Sequence, residues 1–387
     1  MKIGINAFCF RLPATGLGQY LLHLANTLME IDQCNEYVMF GPGSATPEDF
    51  RHPEIHSVYA APSWTRNNAN IEKVTWEQWT GPAAAQKAGV DIFHYPYFAA
   101  PLLPRTPTIS TIGDLIHFRL PQYLEGPIKK TYMRMNMQAA YKAALLITFS
   151  KHARQDIVDL MHIPPERVRV IYLAAGDEYH PVLDPSKQTE VRARYGVGEH
   201  YIFYLGGFDQ RKNVLQLVRA FAQLCYRIAN PNLQLFIAGD LGKQNGLPSL
   251  FPDPRSLAAE LGVSDRIIYR FVEEKDKPAL YSGAEAFVYP SSYEGFGLPP
   301  LEAMSCGAPV ICSNRTSLPE VVGDAAITLN PDDTGAMVDA MYGVLTNQTL
   351  RADLSERSLQ RAAQFNWRKT AIETIAVYEE VFAQRQR

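Results

Sequence analysis

The sequence predicts an α/β protein made of two Rossmann-like, doubly wound parallel-sheet domains. Short apolar runs of strand length alternate with amphipathic stretches of helix length along nearly the whole chain. At 387 residues the chain is longer than one hydrophobic core usually serves. Between residues 174 and 187 the composition shifts to Gly176, His180-Pro181 and Asp184-Pro185, which reads as a linker. Parallel strands on both sides of it imply ligand crevices at the strands' carboxyl ends.

In the first half, strands are expected over 2–8, 36–40, 55–59, 91–95, 107–112, 145–149 and 167–173. Pro13 to Gly18 reads as a glycine loop before an amphipathic helix over 19–31, with Leu21, Leu24, Ala25 and Leu28 on one face. A dinucleotide fingerprint would need a third glycine, and residue 21 is Leu. A helix is expected from Ile71 to Lys87, after a polar loop over Asn67–Asn70 that faces a cleft. The stretch 127–144 reads as a helix in which Lys129, Lys130, Arg134 and Lys142 interleave with Met133, Met135 and Met137. Such a helix can lie on an anionic membrane surface or simply present a solvated face.

In the second half, the strand 201–205 runs into Gly206-Gly207 and then Arg211-Lys212-Asn213, before a helix over 214–228. Two cations beyond a glycine turn can reach a diphosphate, Arg as a rigid fork and Lys as a compact charge, although an Arg-Lys pair is more often just solvated. Strands follow over 233–238 and 266–270. The stretch 291–307 lies between two further apolar strands, 286–290 and 308–312. It reads as a glycine-bearing loop that becomes a helix at Pro299-Pro300 and ends near Gly307. Glu294 falls in the loop, and Glu302 is expected in the first helical turn. Gly295 and Gly297 clear the backbone, so a ligand can approach the N–H groups around Phe296, Gly297 and Leu298, where a helix start favours negative charge. The same glycines would equally make a plain turn. The tail from Phe365 to Phe382 is helical.

Composition narrows the function. Hydrophobic residues make up 47% and charged residues 20%, and the net charge is −3, so nothing marks a nucleic-acid-binding protein. Five scattered cysteines, at 9, 34, 225, 306 and 312, show no ligand spacing and read as reduced thiols of a cytoplasmic protein. The N-terminus reads as a strand rather than a signal peptide, and no apolar run is long enough to span a membrane. His52 and His56 lack the glutamate of a zinc-binding helix, and no Asp-x-Asp ends a strand, so neither a metal nor another cofactor is expected.

Residues 294–310, Glu-Gly-Phe-Gly-Leu-Pro-Pro-Leu-Glu-Ala-Met-Ser-Cys-Gly-Ala-Pro-Val, resemble the E-x7-E signature of the family 4 retaining glycosyltransferases, which have the GT-B fold. Gly206 followed by Arg211-Lys212-Asn213 matches that family's Gly-x4-[Arg/Lys]-Lys-Asn pattern, and Ser150-Lys-x-x-Arg-x-Asp and 164–171 are also similar. The resemblance covers nearly the whole chain. It implies two Rossmann-like domains facing a central cleft: an acceptor-binding domain over 1–178, a nucleotide-sugar domain over 179–366 and a last helix over 367–387 crossing back onto the first.

It further implies transfer of a hexose, with retention and without a metal, from a UDP-glucose or GDP-mannose type of donor to a glycan or lipid-linked acceptor in polysaccharide assembly. Arg211 and Lys212 would stabilise the diphosphate, with Gly207 alongside. Glu294 would hold the donor sugar and Glu302 the ribose. Phe271 and Val272 would meet the base, and Gly16 and Gly18 would approach the phosphates. Members usually carry His-Asp after the strand 107–112. Here Gly113 stands for the His, Asp114 is kept, and His117 follows. That departure keeps open a non-catalytic sugar-nucleotide-binding scaffold as an alternative. A nicotinamide-dependent oxidoreductase is the third reading. The resemblance also allows peripheral contact with the inner membrane face.

Overall fold

The computed structural model describes residues 1–13, 15–43, 46–59, 62–65, 68–240 and 250–385. Strands β1 (Lys2–Asn6), β2 (Glu36–Pro42), β3 (His56–Tyr59), β4 (Ile92–Tyr95), β5 (Thr108–Thr111), β6 (Leu145–Thr148) and β7 (Val168–Val170) form one sheet in the order β3-β2-β1-β4-β5-β6-β7. Strands β8 (Tyr201–Leu205), β9 (Gln234–Ala238), β10 (Ile267–Arg270), β11 (Ala286–Tyr289), β12 (Val310–Ser313) and β13 (Ile327–Leu329) form a second, ordered β10-β9-β8-β11-β12-β13. Every pairing is parallel. Helices pack against both faces, so central strands such as Phe-Val-Tyr in β11 and Val-Ile-Cys in β12 are buried throughout.

The chain divides into two compact units, Met1–Leu173 with Asn366–Arg387, and Ala174–Phe365. The division falls at 173/174, where the sequence placed it at 178/179. In each sheet the winding direction reverses between two neighbouring strands, β1/β4 in the first and β8/β11 in the second. The loops leaving such a pair diverge and open a crevice at the strands' carboxyl ends.

The helix Trp367–Arg385 belongs to the first unit. Its stripe of Thr370, Ala371, Thr374, Val377, Tyr378 and Val381 is buried. There the Tyr378 hydroxyl meets Nδ1 of fully buried His94 at 2.8 Å, and Trp367 stacks on His23 at 5.0 Å between ring centroids. Among the described residues no helix is long and apolar enough to cross a membrane.

Two local expectations are corrected. The first helix begins at Gly16, so Gly16 and Gly18 lie in its first turn rather than in a loop. Thr15 caps it, taking the Gly18 N–H on Oγ1 at 3.2 Å. A Cβ at Gly18 would stand 2.2 Å from the Leu12 carbonyl oxygen, so this glycine serves a close approach of its own chain. The stretch expected as a polar loop over 67–70 is a helix start. Asn68 caps it through the N–H groups of Asn70 and Ile71, whereas Asn67 lies outside the described residues. The helix runs on to Lys87 through a π-turn at Trp76–Thr80.

Candidate functional site

The β8/β11 reversal gathers three of the residues singled out from sequence. After β8, Gly206 lets the chain turn where a Cβ would lie 2.8 Å from the Tyr204 hydroxyl. The turn Gln210–Lys212 then ends on Asn213 at φ +59°, a left-handed conformation that asparagine tolerates. After β11, the Ser292 N–H and hydroxyl both donate to the Arg211 carbonyl, at 2.7 and 3.0 Å. These bonds sew the two loops together.

Across that seam Arg211 Nη1 donates to Glu294 Oε1 at 2.9 Å and Lys212 Nζ donates to the same oxygen at 2.6 Å. The Tyr289 hydroxyl is a third donor to Oε1, at 2.9 Å, and Lys212 Nζ also donates to the Tyr289 oxygen at 2.5 Å. Asp209 Oδ1 lies 3.0 Å from Arg211 Nε as a second anion. The side chains of Arg211, Lys212 and Glu294 are only 19, 10 and 13% exposed.

Burial opposes the Glu294 charge, but Arg211 and then Lys212 outweigh it and hold the carboxyl at about 2. Burial, with Arg211 beside it, lowers the Lys212 ammonium, and Glu294 offsets part of that. The result is a desolvated, charge-balanced cluster of two cations and two carboxylates at a strand end.

The remaining residues of the loop have distinct settings. Phe296 turns its ring inward against Phe365, centroids 6.0 Å apart, and is buried. Gly297 has φ +125°, and a Cβ there would lie 2.7 Å from Leu318 Cδ2, so only glycine fits. The helix Leu298–Ser305 opens without a side-chain cap. Pro299 and Pro300 have no N–H, so the donor at this helix start is Leu298.

Glu302 lies in the second helical turn, not the first. It is half-buried, with the Tyr281 hydroxyl donating to Oε2 at 3.0 Å. Burial raises its carboxyl to about 7, with Lys277 opposing and Glu274 adding to the rise.

Sequence reasoning missed two supports of this loop. Thr316, at φ +57°, takes the Glu294 N–H on its hydroxyl at 3.0 Å, and Ser317 Oγ donates to the Glu294 and Phe296 carbonyls at 2.9 and 2.6 Å. A β-branched residue at positive φ is an outlier held by its surroundings. The only sequence signal was a Ser-Asn-Arg-Thr-Ser run after β12.

The other candidates are not members of this cluster. Gly207 adjoins it in the β8 turn, where a Cβ would lie 3.3 Å from Asp209 Oδ2. Phe271, 66% exposed, and buried Val272 follow β10, which β9 separates from β8. Gly16, Gly18 and Asp114 belong to the first unit. Asp114 Oδ1 accepts the Ile116 N–H at 3.1 Å. A Cβ on Gly113 would stand 3.1 Å from the Phe149 ring, so Phe149 crowds the space a histidine would need. His117, three residues beyond Asp114, is half-buried with its Nδ1 enclosed and unpaired, and burial lowers its basicity.

Comparison with known proteins agrees with this architecture. Residues 14–175 match the model of Glycosyltransferase Family 4, and residues 187–361 match Glycosyl transferases group 1. The chain is 31% identical over 392 residues to the O-antigen chain mannosyltransferase B of Escherichia coli, covering 98% of this chain and 100% of that one. It is 30% identical over 269 residues to the serotype-specific mannosyltransferase WbdA of Escherichia coli, 68% of this chain and 32% of that much longer one. The sucrose-phosphate synthase of Thermosynechococcus elongatus superposes with a TM-score of 0.77 at 21% identity, over 99% of this chain and 100% of the other. HepE of Anabaena in complex with UDP-glucose superposes with a TM-score of 0.75 at 17% identity, over 98% and 100%.

Proposed function

Because the chain belongs to the family 4 glycosyltransferases with the GT-B fold, we propose that it transfers a hexose from a nucleotide diphosphate sugar to a growing glycan, with retention and without a metal. The observation that carries this reading is the convergence of Arg211, Lys212 and Glu294 at the β8/β11 reversal. The two mannosyltransferase relatives favour mannose as the sugar and a bacterial surface polysaccharide as the product, which makes GDP-mannose the first donor to test and UDP-glucose the second.

In this reading the donor's diphosphate is gripped by the Arg211 fork and the Lys212 point charge, with the Leu298 N–H as a further donor. As the glycosidic C–O bond breaks, negative charge gathers on the leaving diphosphate. Fixed cations in a desolvated site stabilise that state most. They also supply the charge that a divalent ion would otherwise bring. Glu294, held ionised by the same cations, takes the sugar hydroxyls, and Glu302 takes the ribose hydroxyls. Phe271 and Val272 flank the base, and Gly207 lets the main chain approach the phosphates.

The acceptor is a glycan or a lipid-linked glycan. The helix Pro127–Lys142 exposes Ile128, Lys129, Lys130 and Arg134, the face with which the protein would meet an anionic inner-membrane surface.

Thermal-shift titration with UDP, GDP and their sugars, followed by NMR of the product anomer, tests the reading. Stabilisation by one nucleotide diphosphate and an α-linked product from its α-configured sugar donor are expected. No response to any of them would end it.

A further inference from the structure

The first sheet has its own reversal at β1/β4, and an unusual cation is held there. Phe8 follows β1 and Tyr97 follows β4. The Lys73 ammonium stands 5.7 Å from the centroid of each of these rings and 5.1 Å from that of Tyr132. Its anionic neighbour is Glu77, one helical turn on, at 3.9 Å. Among the described residues Lys73 Nζ makes no hydrogen bond, yet its side chain is 33% exposed. An ammonium group has three N–H donors, and here all three are unspent at the rim of an aromatic box.

The box is built to stay in place. Glu77 is fully buried inside the π-turn, an irregularity that is frequent at functional positions. The Tyr132 hydroxyl reaches both Glu77 oxygens, at 3.0 and 2.9 Å, and the Tyr95 hydroxyl donates to the Glu77 carbonyl at 3.1 Å. Trp76 Nε1 ties the same turn to Asn6, the last residue of β1, at 3.1 Å. At the rim Arg11 pairs with Glu72 at 2.6 Å, and Arg11 also lies 5.6 Å from the Phe8 centroid.

We propose that the Phe8, Lys73, Tyr97 and Tyr132 box is the subsite that receives the terminal sugar of the acceptor glycan. This rests on the glycosyl-transfer reading above. Tyr97 is buried and braces the cation, while the half-buried, electron-rich Phe8 and Tyr132 rings suit the C–H face of a pyranose and the ammonium protons suit its hydroxyl rim. Arg11 and Lys73 are balanced by Glu72 and Glu77, so the box favours a neutral polyol over a phosphate. Two buried-side partners, Glu77 and Tyr132, fix the cation before the sugar arrives, which limits the ordering cost of binding.

The test uses the full chain, the nucleotide sugar that the wild type accepts, and an α-mannotrioside with a fluorescent aglycone as acceptor. Lys73→Met and Phe8→Leu are each expected to raise the KM for the mannotrioside about tenfold or more, as loss of a charged hydrogen bond or a stacking face does, with kcat changed far less. Lys73→Arg should recover part of the loss. Affinity for the free nucleotide diphosphate, measured by calorimetry, should stay within twofold (about 0.4 kcal/mol). An unchanged acceptor KM in both variants overturns the proposal. So does a fall in nucleotide affinity that matches the rise in KM, since that would mark a purely structural role. Should Lys73→Met not fold, the Lys73→Gln/Glu77→Gln pair, which keeps the box neutral, gives the same readout. Failure of the wild type to bind or turn over any nucleotide sugar would instead remove the underlying reading.

Discussion

At the scale of residues, one carboxyl is held far below its usual value and another far above. Both follow from neighbours rather than from sequence position. Arg211 and Lys212 keep Glu294 ionised, so its ion pairs stabilise the fold above the unfolded value of 4.5 and are lost as pH falls towards 2. Arg211→Ala leaves Glu294 half-buried with less compensation and removes the donor proposed for the leaving group. A fall in turnover on the order of a hundredfold or more is expected, with the fold retained by circular dichroism. Wild-type turnover in that variant would contradict the assigned role.

Glu302 behaves in the opposite sense. Its folded value of about 7 lies above 4.5, so the folded protein holds a proton that the unfolded chain has lost, and stability falls as pH rises through that window. Glu302→Gln should therefore be more stable than wild type at pH 8 and close to it at pH 4.5, while binding the nucleotide diphosphate more weakly. Denaturant titrations at the two pH values and calorimetry separate the effects.

At the scale of elements, the strand-to-helix turns do the positioning. The glycine loop, the two prolines and Gly307 at φ +75° were legible as a turn, a helix start and a helix end, because those residues act through their own backbone. Gly297→Ala must force a Cβ into Leu318 at a φ few L-residues adopt, and about 1–3 kcal/mol of destabilisation together with lost nucleotide affinity is expected. An unaffected melting temperature and affinity would show that the loop relaxes freely. What the sequence concealed at this scale was of another kind. Thr316 reaches Glu294 from a different strand end, and of the i, i+4 pair Lys73 and Glu77 the π-turn buries Glu77 while Lys73 stays partly exposed. Gly16 and Gly18 have the spacing of a phosphate loop, but the Thr15 cap places both in a helix's first turn.

At the scale of the whole molecule, two sheets with the same reversal give two crevices, one in each unit. Each unit has its own core, so calorimetry should resolve two transitions. A nucleotide diphosphate at a hundred times its Kd should stabilise only the unit Ala174–Phe365, by about 2.7 kcal/mol. Deleting residues 366–387 should lower the other transition, since it uncovers His94 and strips Tyr378 and Trp367 from the first unit. A nucleotide-induced shift confined to the first unit would reverse the assignment of the two crevices.

By itself the sequence determined the strand and helix periods, the glycine turns, the presence of two α/β halves and the two short motifs that carry Arg211-Lys212 and Glu294. These are local properties, written in runs of neighbouring residues. Only the tertiary structure decided that Glu294 meets Arg211 and Lys212 across 83 and 82 residues, that one carboxyl is pinned down while another is pushed up, and that Lys73 ends in a box of three rings. Such facts depend on which strands become neighbours and how much water is excluded between their loops, and no stretch of sequence records either one.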